Sequence, residues 1–517
     1  MKLVSVQEMI KIEKAADSAG QPYAEMMEAA GQGLAVLIHE KFSILPEQSV
    51  TALVGSGNNG GDALVALDYL ISWGWQATAI LCGNRPGSDP LILRFLENGG
   101  RLIDCYQFEN SISSFKEEIS GSEVLIDGVL GTGIKLPLRK PLVQILGDIK
   151  TILEQIETTP VIVAVDCPSG IDCDTGDVDP ACIPADLTVT MAAVKKGLLR
   201  FPAYNYLGKL EVVDIGLPAG LDELDKINRE IVDPEWVRSK LPVRPLNAHK
   251  GTFGTSLIIA GSEHYPGAAI LAGISAYRAG SGLVTMAVPR GIYQGLIKTL
   301  PEATWVKLNE ISGGISEDAV SQIKSALGRP TACLLGPGLG TLESTGKFLE
   351  GFFQLEEIPA LVIDADGLRL VSELADWQTR IPQNSVLTPH PGEMAVLTGV
   401  PSESIQSDRL EIAEKFAQQW GQIIVLKGAH TIIAAPGEKS RILISADPAL
   451  ARAGSGDVLA GLITGLLAQG VTPYAAAVSG TWIHARAGAL AAKRVGSAAA
   501  VLAGDISSSI GQVISSM

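Results

Sequence analysis

Near the end of the chain, a glycine-rich segment ends in an aspartate and runs into apolar residues. It reads Ala453-Gly454-Ser455-Gly456-Asp457, and residues 458–461 continue it. Because glycine lacks a Cβ, its backbone N–H groups can closely surround an anion. If the apolar run is a helix, these groups lie at its positive end, and the carboxylate can take a proton from a bound group. The segment therefore indicates a phosphoryl-transfer centre, with an ordinary N-cap aspartate after a flexible turn as the alternative.

Three segments in the first half of the chain place polar residues directly after short β-rich runs. They follow predicted strands at 49–54, 123–126 and 161–165. Because the carboxyl ends of parallel strands border the same crevice, we expect these side chains to lie close together. Their carboxylate, amide and hydroxyl oxygens suit a hard cation such as K⁺ or Mg²⁺. The residues concerned are Asn58, Asn59, Asp62, Asp127, Asp166 and Ser169.

The first of these segments also matches the glycine pattern of dinucleotide-binding turns. Gly55, Gly57 and Gly60 have the G-x-G-x-x-G spacing, and a helix is predicted from residue 63 to residue 73. However, the next predicted strand, 76–81, ends in Cys82-Gly83-Asn84 rather than in an acidic residue that would hold a ribose. The pattern therefore gives weak support to ordinary NAD binding.

Strands and helices alternate through the rest of the chain, as in α/β proteins with parallel sheets. A chain of 517 residues exceeds the size at which a single core stops growing, about 250–300 residues. A charged, proline-containing stretch separates two predicted α/β domains. We expect a first domain at 1–218, a linker at 219–245 and a second domain at 246–517. The fold class is α/β, with a Rossmann-like α/β/α sandwich first.

Composition excludes several classes of function. The net charge of −16 argues against binding to nucleic acid or to an anionic membrane. No apolar run reaches the ~18 residues of a membrane span, and the first eight residues carry charges where a signal peptide is apolar. None of the six cysteines forms a C-x-x-C pair, so we expect free thiols in a cytoplasmic protein.

The second domain resembles the ribokinase-like superfamily and, more closely, the ADP/ATP-dependent NAD(P)H-hydrate dehydratases. Six ordered motifs carry the resemblance. They are His249-Lys250-Gly251 with Gly254, Gly336-Pro337-Gly338-Leu339-Gly340, Asp364-Ala365-Asp366, Thr388-Pro389-His390-Pro391-Gly392-Glu393, Lys427-Gly428-Ala429-His430-Thr431 and Gly454-Ser455-Gly456-Asp457. One departure is Asp447-Pro448-Ala449, where the family usually has Asn-Pro-Gly.

The first domain resembles NAD(P)H-hydrate epimerases, and the two domains in this order are similar to the bifunctional NAD(P)H-hydrate repair enzymes of bacteria. The family's usual glycine after Asp62 is Ala63 here, which a helical position would tolerate. The resemblance rests on Asn58-Asn59-Gly60-Gly61-Asp62, Asp127 with Gly131-Thr132-Gly133, Asp166-Cys167-Pro168-Ser169-Gly170 and Asp214-Ile215-Gly216-Leu217-Pro218.

The resemblance implies a set of site residues. In the epimerase, Asp166 would be the acid/base, Asn59, Asp127 and Ser169 would hold K⁺, and Lys135 would assist proton transfer. The hydrate would bind Asn58, Asn59, Gly60, Gly61, Asp62, Gly131, Thr132, Gly133, Ile134, Lys135, Leu136, Pro137 and Asp166. In the dehydratase, Asp457 would be the base, and the hydrate would bind Ala268, Gly338, His390 and Asp457. The nucleotide would bind Lys427, Gly428, Ala429, His430, Thr431, Gly454, Ser455 and Gly456.

The resemblance also implies an activity. The epimerase would interconvert R and S hydrates of NADH and NADPH, and the dehydratase would convert the S form to NAD(P)H. ADP would be the phosphoryl donor, ATP being the alternative, with Mg²⁺ and K⁺ as cofactors. The expected partners are NADHX, NADPHX and copies of the chain itself in a homo-oligomer. Beyond the place of His430 in the nucleotide loop, we give His430 and His264 no chemical role and expect both at the surface.

Two other hypotheses remain open at this point. The chain could be a ribokinase-like kinase of a small alcohol, with a regulatory first domain. Alternatively, the first domain could be a binding module that has lost catalysis. The Gly-Ser-Gly-Asp segment suits the kinase equally well, whereas the retained polar residues of the first domain argue against the binding module.

Overall fold

The structure is a computed structural model that describes residues 1–104 and 111–517. The chain forms two compact units, Met1–Asn228 and Arg229–Met517. Among the described residues, no helix is long and apolar enough to cross a membrane. The five described cysteines are free and buried, while Cys105 lies outside the described residues.

The first unit contains nine strands and seven helices in its described part. The strands are β1 (Leu3–Val4), β2 (Ser49–Val54), β3 (Gln76–Leu81), β4 (Arg101–Asp104), β5 (Val124–Gly128), β6 (Val161–Val165), β7 (Leu187–Met191), β8 (Val194–Lys195) and β9 (Lys209–Val213). The helices are α1 (Val6–Ser18), α2 (Tyr23–Phe42), α3 (Asn58–Ser72), α4 (Pro90–Glu97), α5 (Ser111–Ser120), α6 (Leu142–Gln155) and α7 (Asp222–Asp225).

Seven strands of this unit form a parallel sheet in the order β4-β3-β2-β5-β6-β7-β9. Val50, Ala52 and Val54 of β2 belong to an apolar cluster that includes residues of α1, α2, α3 and α4. Leu53 belongs to a second cluster with residues of α5 and α6. Since successive side chains of a strand face opposite sides, the sheet is covered by helices on both faces. The strand order reverses between β2 and β5, which is where open α/β sheets bind ligands.

The second unit contains twelve strands and thirteen helices in chain order. The strands are β10 (Arg229–Ile231), β11 (Thr255–Ile259), β12 (Leu283–Pro289), β13 (Thr304–Leu308), β14 (Glu310–Ile311), β15 (Gly314–Ile315), β16 (Ala332–Leu335), β17 (Ala360–Ile363), β18 (Val386–Leu387), β19 (Ile423–Leu426), β20 (Ile432–Ala434) and β21 (Ser440–Ile442). The helices are α8 (Pro234–Lys240), α9 (Pro266–Ala279), α10 (Arg290–Leu296), α11 (Val320–Ala326), α12 (Glu343–Phe352), α13 (Asp366–Ser372), α14 (Trp377–Arg380), α15 (Pro391–Thr398), α16 (Ser402–Ser407), α17 (Arg409–Trp420), α18 (Ser455–Ala468), α19 (Pro473–Val495) and α20 (Ala503–Ser515).

Ten strands of the second unit form one sheet in the order β10-β21-β20-β19-β18-β17-β16-β11-β12-β13. It is parallel except that β20 pairs antiparallel with both β19 and β21. The order reverses between β11 and β16, so the loops after these two strands border the expected ligand crevice. The buried helices α9 and α18 share the large apolar core of this unit.

The structure divides the chain between Asn228 and Arg229, within the expected linker, 219–245. Strand β10 pairs in parallel with β21, and helix α8 follows it with Asp233 as its N-cap. Backbone pairing and the burial of Val237 in the second core tie this stretch to the second unit. Residues 229–240 are thus an edge strand and a helix of that unit, although their charge and prolines are typical of a linker.

Candidate active sites

The polar segment after β2 begins a helix instead of forming a loop. Helix α3 starts at Asn58, five residues earlier than expected, because Gly57 is extended and serves as its N-cap. Asn59 and Asp62 are buried in the first turn of this helix, and Asn58 is exposed. Ala63 is buried within α3, so its methyl group occupies an ordinary helical position.

The expected cation ligands lie together at the carboxyl ends of β2, β5 and β6. The Asn59 amide donates to the main-chain carbonyls of Leu130 (3.0 Å) and Val165 (2.6 Å). Asp127 accepts hydrogen bonds from the Ser169 N–H (2.7 Å) and hydroxyl (2.6 Å). Burial raises the pKa of the Asp127 carboxyl. The result is a buried, oxygen-rich cluster around a carboxylate that ionises reluctantly.

Asp166 lies just beyond β6 in a left-handed backbone conformation, with a φ of +63°. Its Oδ1 atom accepts hydrogen bonds from the Thr190 hydroxyl (2.9 Å), the Met191 N–H (3.0 Å) and the Lys195 ammonium. Non-glycine residues with positive φ are uncommon and are found where neighbouring structure holds them. These three donors, all from β7, β8 and the turn between them, fix one oxygen of the carboxylate.

Two further carboxyl groups interact electrostatically with Asp166. The pKa of Asp62 is well above its ordinary value, because of burial first and then because of Asp166 and Glu13. Burial likewise raises the pKa of Glu13, with Lys195 opposing and Asp166 adding to the shift. Besides Asp166, the crevice therefore holds two carboxyl groups whose protonated forms are favoured by burial.

The second expected hydrate-binding loop, 131–137, borders the same crevice at one end. A Cβ added at Gly131 would collide with the Asn59 Oδ1 atom, so the loop passes directly over that side chain. Residues Gly131, Thr132, Ile134 and Leu136 are partly buried, whereas Gly133, Lys135 and Pro137 are exposed. No contact of Lys135 with Asp166 is seen in the described part of the chain.

In the second unit, the Gly-Ser-Gly-Asp segment begins helix α18. Gly454 is the N-cap with a φ of +89°, a left-handed conformation that glycine adopts without strain. The Ser455 N–H donates to the Arg452 carbonyl at 3.3 Å. The N–H groups of Gly456 and Asp457 have no acceptor among the described residues, so they are available to an anion at the positive end of the helix.

Asp457 lies beside this anion site, and its pKa is raised from 3.8 to about 7. Burial is the main cause, Asp364 and Asp366 add to it, and Lys427 opposes it. The Lys427 ammonium is 2.6 Å from Asp364 Oδ1 and 3.6 Å from Glu393 Oε2. Burial lowers the pKa of Lys427, but these carboxylates outweigh it and the net shift is upward. Lys427 therefore stays charged next to a base that titrates near neutral pH.

The geometry of the turn places this ion pair opposite the available N–H groups. A Cβ added at Gly456 would lie 3.5 Å from the Lys427 ammonium and 3.7 Å from Asp364 Oδ2. The Thr388 hydroxyl donates to Asp364 Oδ1 at 2.7 Å and orients that carboxylate. Backbone donors and a lysine thus surround one small space at the start of α18, as phosphoryl transfer needs.

Gly338 and Ala268, expected to bind the hydrate, are neighbours at the point where the sheet order reverses. Gly338 has a φ of +64°, and a Cβ there would lie 2.9 Å from the Ala268 Cβ and 2.7 Å from the Tyr265 Cβ. His390 caps helix α15: its Nδ1 atom accepts from the N–H groups of Gly392 (3.0 Å) and Glu393 (3.2 Å). Its side chain remains 48% exposed.

Arg409 binds the main chain at the start of the expected nucleotide loop, 427–431. The guanidinium donates to the carbonyls of Leu426 (3.0 Å) and Lys427 (3.2 Å). His430 is only 4% exposed, and burial, followed by the charge of Arg409, lowers its pKa to about 4. The expectation of a surface His430 is therefore wrong: its N–H donates to the Ser445 carbonyl at 2.9 Å, and its ring interacts electrostatically with Arg409. His264 is exposed, as predicted.

Several residues near the two centres were not assigned a role from the sequence. Lys195 and Glu13 come from β8 and α1, far along the chain from Asp166. Asp364 and Glu393 lie in the motifs that carry the resemblance, but their contact with Lys427 is visible only in the fold. His484 of α19 is buried, and burial lowers its pKa to about 4 while the Ser455 main chain opposes the shift. For Lys195, the sequence offers one indication of a role, namely a lysine at the end of an apolar strand.

Two α/β units, one with an anion site beside a buried carboxyl group and one with a carboxylate-rich crevice, are the arrangement expected of a two-domain enzyme. A family profile described as NAD(P)H-hydrate dehydratase matches residues 256–512, and one described as YjeF-related protein N-terminus matches residues 23–197. The chain is 35% identical to the bifunctional NAD(P)H-hydrate repair enzyme Nnr of Moorella thermoacetica, over 98% of this chain and 95% of the relative. The corresponding enzyme of Thermofilum pendens is 33% identical over 96% and 93%.

Among solved structures, the second unit is similar to the ADP/ATP-dependent NAD(P)H-hydrate dehydratase of Bacillus subtilis, co-crystallised with ATP and Mg²⁺. That match has 32% identity and a TM-score of 0.49, and it covers 56% of this chain and 98% of the other. Because these relatives match over nearly their full length, the chain belongs to the family of bifunctional NAD(P)H-hydrate repair enzymes. The predicted family and α/β fold class are confirmed.

Proposed function

We propose that this chain repairs hydrated nicotinamide cofactors in two steps. The first unit interconverts the R and S hydrates of NADH and NADPH. The second unit dehydrates the S form at the expense of ADP, giving NAD(P)H, AMP and phosphate. The observation that carries the second activity is the position of Asp457, a carboxyl with a pKa of about 7, at the start of α18.

In the dehydratase, Asp457 takes the proton of the hydrate hydroxyl while the oxygen attacks the terminal phosphorus of ADP. The bond from that phosphorus to the bridging oxygen breaks, and AMP leaves. The N–H groups at the start of α18 and the Lys427 ammonium offset the charge of the phosphoryl group in transfer. Phosphate then leaves with the former hydroxyl oxygen as the neighbouring carbon loses a proton, which restores the double bond. Ala268, Gly338 and His390 line the hydrate site.

In the epimerase, Asp166 is the acid/base group, and the hydrate binds between residues 58–62 and residues 131–137. Asn59, Asp127 and Ser169 would hold K⁺. The buried set of amide, carboxylate and hydroxyl oxygens fits such a hard cation, and no cluster of His, Cys, Asp or Glu suited to another metal occurs in the described ranges. The ion supplies a positive charge that offsets the buried Asp127.

The nucleotide lies against residues 427–431 and 454–456, with Mg²⁺ accompanying its phosphates. We also propose that each unit carries one of the two activities, that the protein acts in the cytoplasm, and that it forms a homo-oligomer. Free cysteines throughout the described chain support a reducing compartment.

The test uses the purified chain with a mixture of R and S hydrates, Mg²⁺, K⁺ and ADP, with ATP in a parallel reaction. Return of reduced-nicotinamide absorbance for the whole mixture supports both activities. Asp457→Asn should abolish recovery of the S form with either nucleotide, while Asp166→Asn should abolish recovery of only the R form, so each variant controls for the other. A stable phosphorylated product without restored absorbance would instead support a small-molecule kinase.

A further inference from the structure

Lys195 is the most deeply buried charged side chain of the epimerase crevice. It ends strand β8, and its side chain is 1% exposed. A buried ammonium is strongly unfavourable unless paired and hydrogen-bonded. Its Nζ atom has three partners: Asp166 Oδ1, the Thr190 hydroxyl (3.0 Å) and the Met191 carbonyl (3.0 Å). All three donors of the ammonium are therefore used, and it has none left for a substrate.

The partner carboxylate, Asp166, is bonded in an asymmetric way. Oδ1 accepts hydrogen bonds from Lys195, Thr190 and Met191, whereas Oδ2 accepts none from the described residues. The Asp166 side chain keeps 10% of its surface exposed. A purely structural ion pair has no need of an unbonded, accessible oxygen at the carboxyl end of a strand. The arrangement leaves one oxygen of an anchored carboxylate for a ligand.

The neighbourhood of this pair is otherwise acidic. Glu13 of α1 and Asp62 of α3 both interact electrostatically with Asp166, and Lys195 opposes the rise in pKa of both carboxyl groups. Without the ammonium, three carboxyl groups would share one poorly solvated crevice, and repulsion would favour their protonation. The lysine thus supplies a positive charge among these carboxyl groups and is bonded to one of them, Asp166.

We propose that Lys195 is a positioning residue of the epimerase, which anchors Oδ1 of Asp166 and so directs its Oδ2 atom toward the hydrate. The inference rests on the proposed acid/base role of Asp166. Lys195 does not touch the substrate, and its effect on epimerisation passes through Asp166 alone.

The experiment compares Lys195→Met, Asp166→Asn and the double variant in the full chain. R/S interconversion is followed by chromatography without nucleotide, so the dehydratase is silent. We expect Lys195→Met to lower kcat roughly a hundredfold, the scale of one general acid/base group, with KM changed by less than about threefold. The double variant should be no slower than Asp166→Asn, because two residues that act through one group are not additive.

Controls separate this role from a structural one. Lys209→Met removes the lysine of an exposed ion pair with Glu211 in the same unit and should leave the rate unchanged. Lys195→Arg keeps the charge and should restore part of kcat. If Lys195→Met unfolds the first unit, Thr190→Val removes one anchor of Asp166 without removing a charge, and it should lower kcat several-fold with KM unchanged.

Each outcome bears on a different statement. Loss of epimerisation in Asp166→Asn with a normal rate in a folded Lys195→Met overturns the inference and leaves the proposed function. Losses that multiply in the double variant also overturn it, since Lys195 would then act independently of Asp166. A normal rate in Asp166→Asn would refute the role of Asp166 itself, and the inference with it.

Discussion

Replacing Asp457 by asparagine should stabilise the second unit at alkaline pH while removing its activity. In the folded protein, the pKa of Asp457 rises from 3.8 to about 7, because of burial and then of Asp364. An acid that holds its proton more tightly in the folded state costs stability once it ionises. Wild-type stability should therefore fall as pH rises from about 4 to about 7, and the asparagine variant should not share this loss.

The size of the effect follows from the change in pKa. A rise from 3.8 to about 7 corresponds to ~4 kcal/mol, at about 1.4 kcal/mol per pKa unit. The Asp457 side chain retains partial exposure, and solvent screening lowers the measurable cost, so we expect ~1–2 kcal/mol at pH 8. For a unit of this size, that is a rise of roughly 2–8 °C in the unfolding temperature.

Calorimetry of the full chain at pH 5, 6, 7 and 8 measures this difference in the transition of the second unit. The gain of Asp457→Asn should be largest at pH 8 and about 40% as large at pH 5. Asp318→Asn is a matched control, because hydrogen bonds from Ser316 and Asn309 lower the pKa of that exposed carboxyl, and its removal should give no gain. Dehydration in Asp457→Asn should fall by about 10²–10⁴ in kcat.

Two results would refute this reasoning. If Asp457→Asn unfolds at or below the wild-type temperature at pH 8, the carboxylate is not destabilising where it lies. If the gain is the same at pH 5 and pH 8, it does not come from ionisation of Asp457. Either result would remove the argument that this group is a base poised near neutral pH.

Three further predictions concern the rates of the two reactions. The kcat/KM of dehydration should rise with pH through about 7, since Asp457 must be ionised to accept a proton; a flat profile from pH 5 to 9 would contradict its role. Lys427→Met should move that rise to higher pH and increase the KM for nucleotide, because Lys427 lowers the pKa of Asp457. Gly131→Ala should abolish R/S interconversion and spare dehydration, since the new Cβ collides with Asn59, whereas Gly147→Ala, with open space around it, should change neither rate.

The central strands of the first sheet could be predicted from the sequence to within a residue or two. Strands β2, β3 and β6 have the predicted bounds, because a strand covered on both faces is a continuous apolar run that a glycine turn ends. The edge of the second sheet could not be predicted in the same way. β20 and β21 are three residues each, β20 is antiparallel to both of its neighbours, and such short runs carry no periodic signal.

The start of helix α3 could not be predicted from the sequence, because the segment is rich in glycine. Asn58-Asn59-Gly60-Gly61-Asp62 has low helix propensity, and the sequence therefore predicted a turn up to Asp62. In the structure, extended Gly57 caps a helix whose first turn is packed against the sheet, and tertiary contacts outweigh propensity. The consequence is functional, since Asn59 and Asp62 are three residues apart and share one face of the helix.

Residues within motifs could be placed in the two sites from the sequence, but their partners could not. The local sequence alone places Gly454 and Asp457 at the start of α18, without any contribution from distant residues. By contrast, Lys195 is 29 residues from Asp166 along the chain, and the two meet because β6 pairs with β7 and the chain turns directly from β7 into β8. Residue type and spacing do not encode such a contact.

The two lysines explain why the two proposed catalytic aspartates should behave differently. Lys195 bonds directly to Asp166, the proposed acid/base, and anchors its Oδ1 atom. Lys427 bonds instead to Asp364 and approaches Glu393, and the pKa of Asp457 rises to about 7 because of burial first and then because of Asp364. A base that must first accept a proton from an alcohol, and then release it, works best when its pKa is near the ambient pH. One ammonium thus fixes the orientation of the proposed acid/base in the first unit, whereas in the second unit the ammonium is bonded to a neighbour of the proposed base.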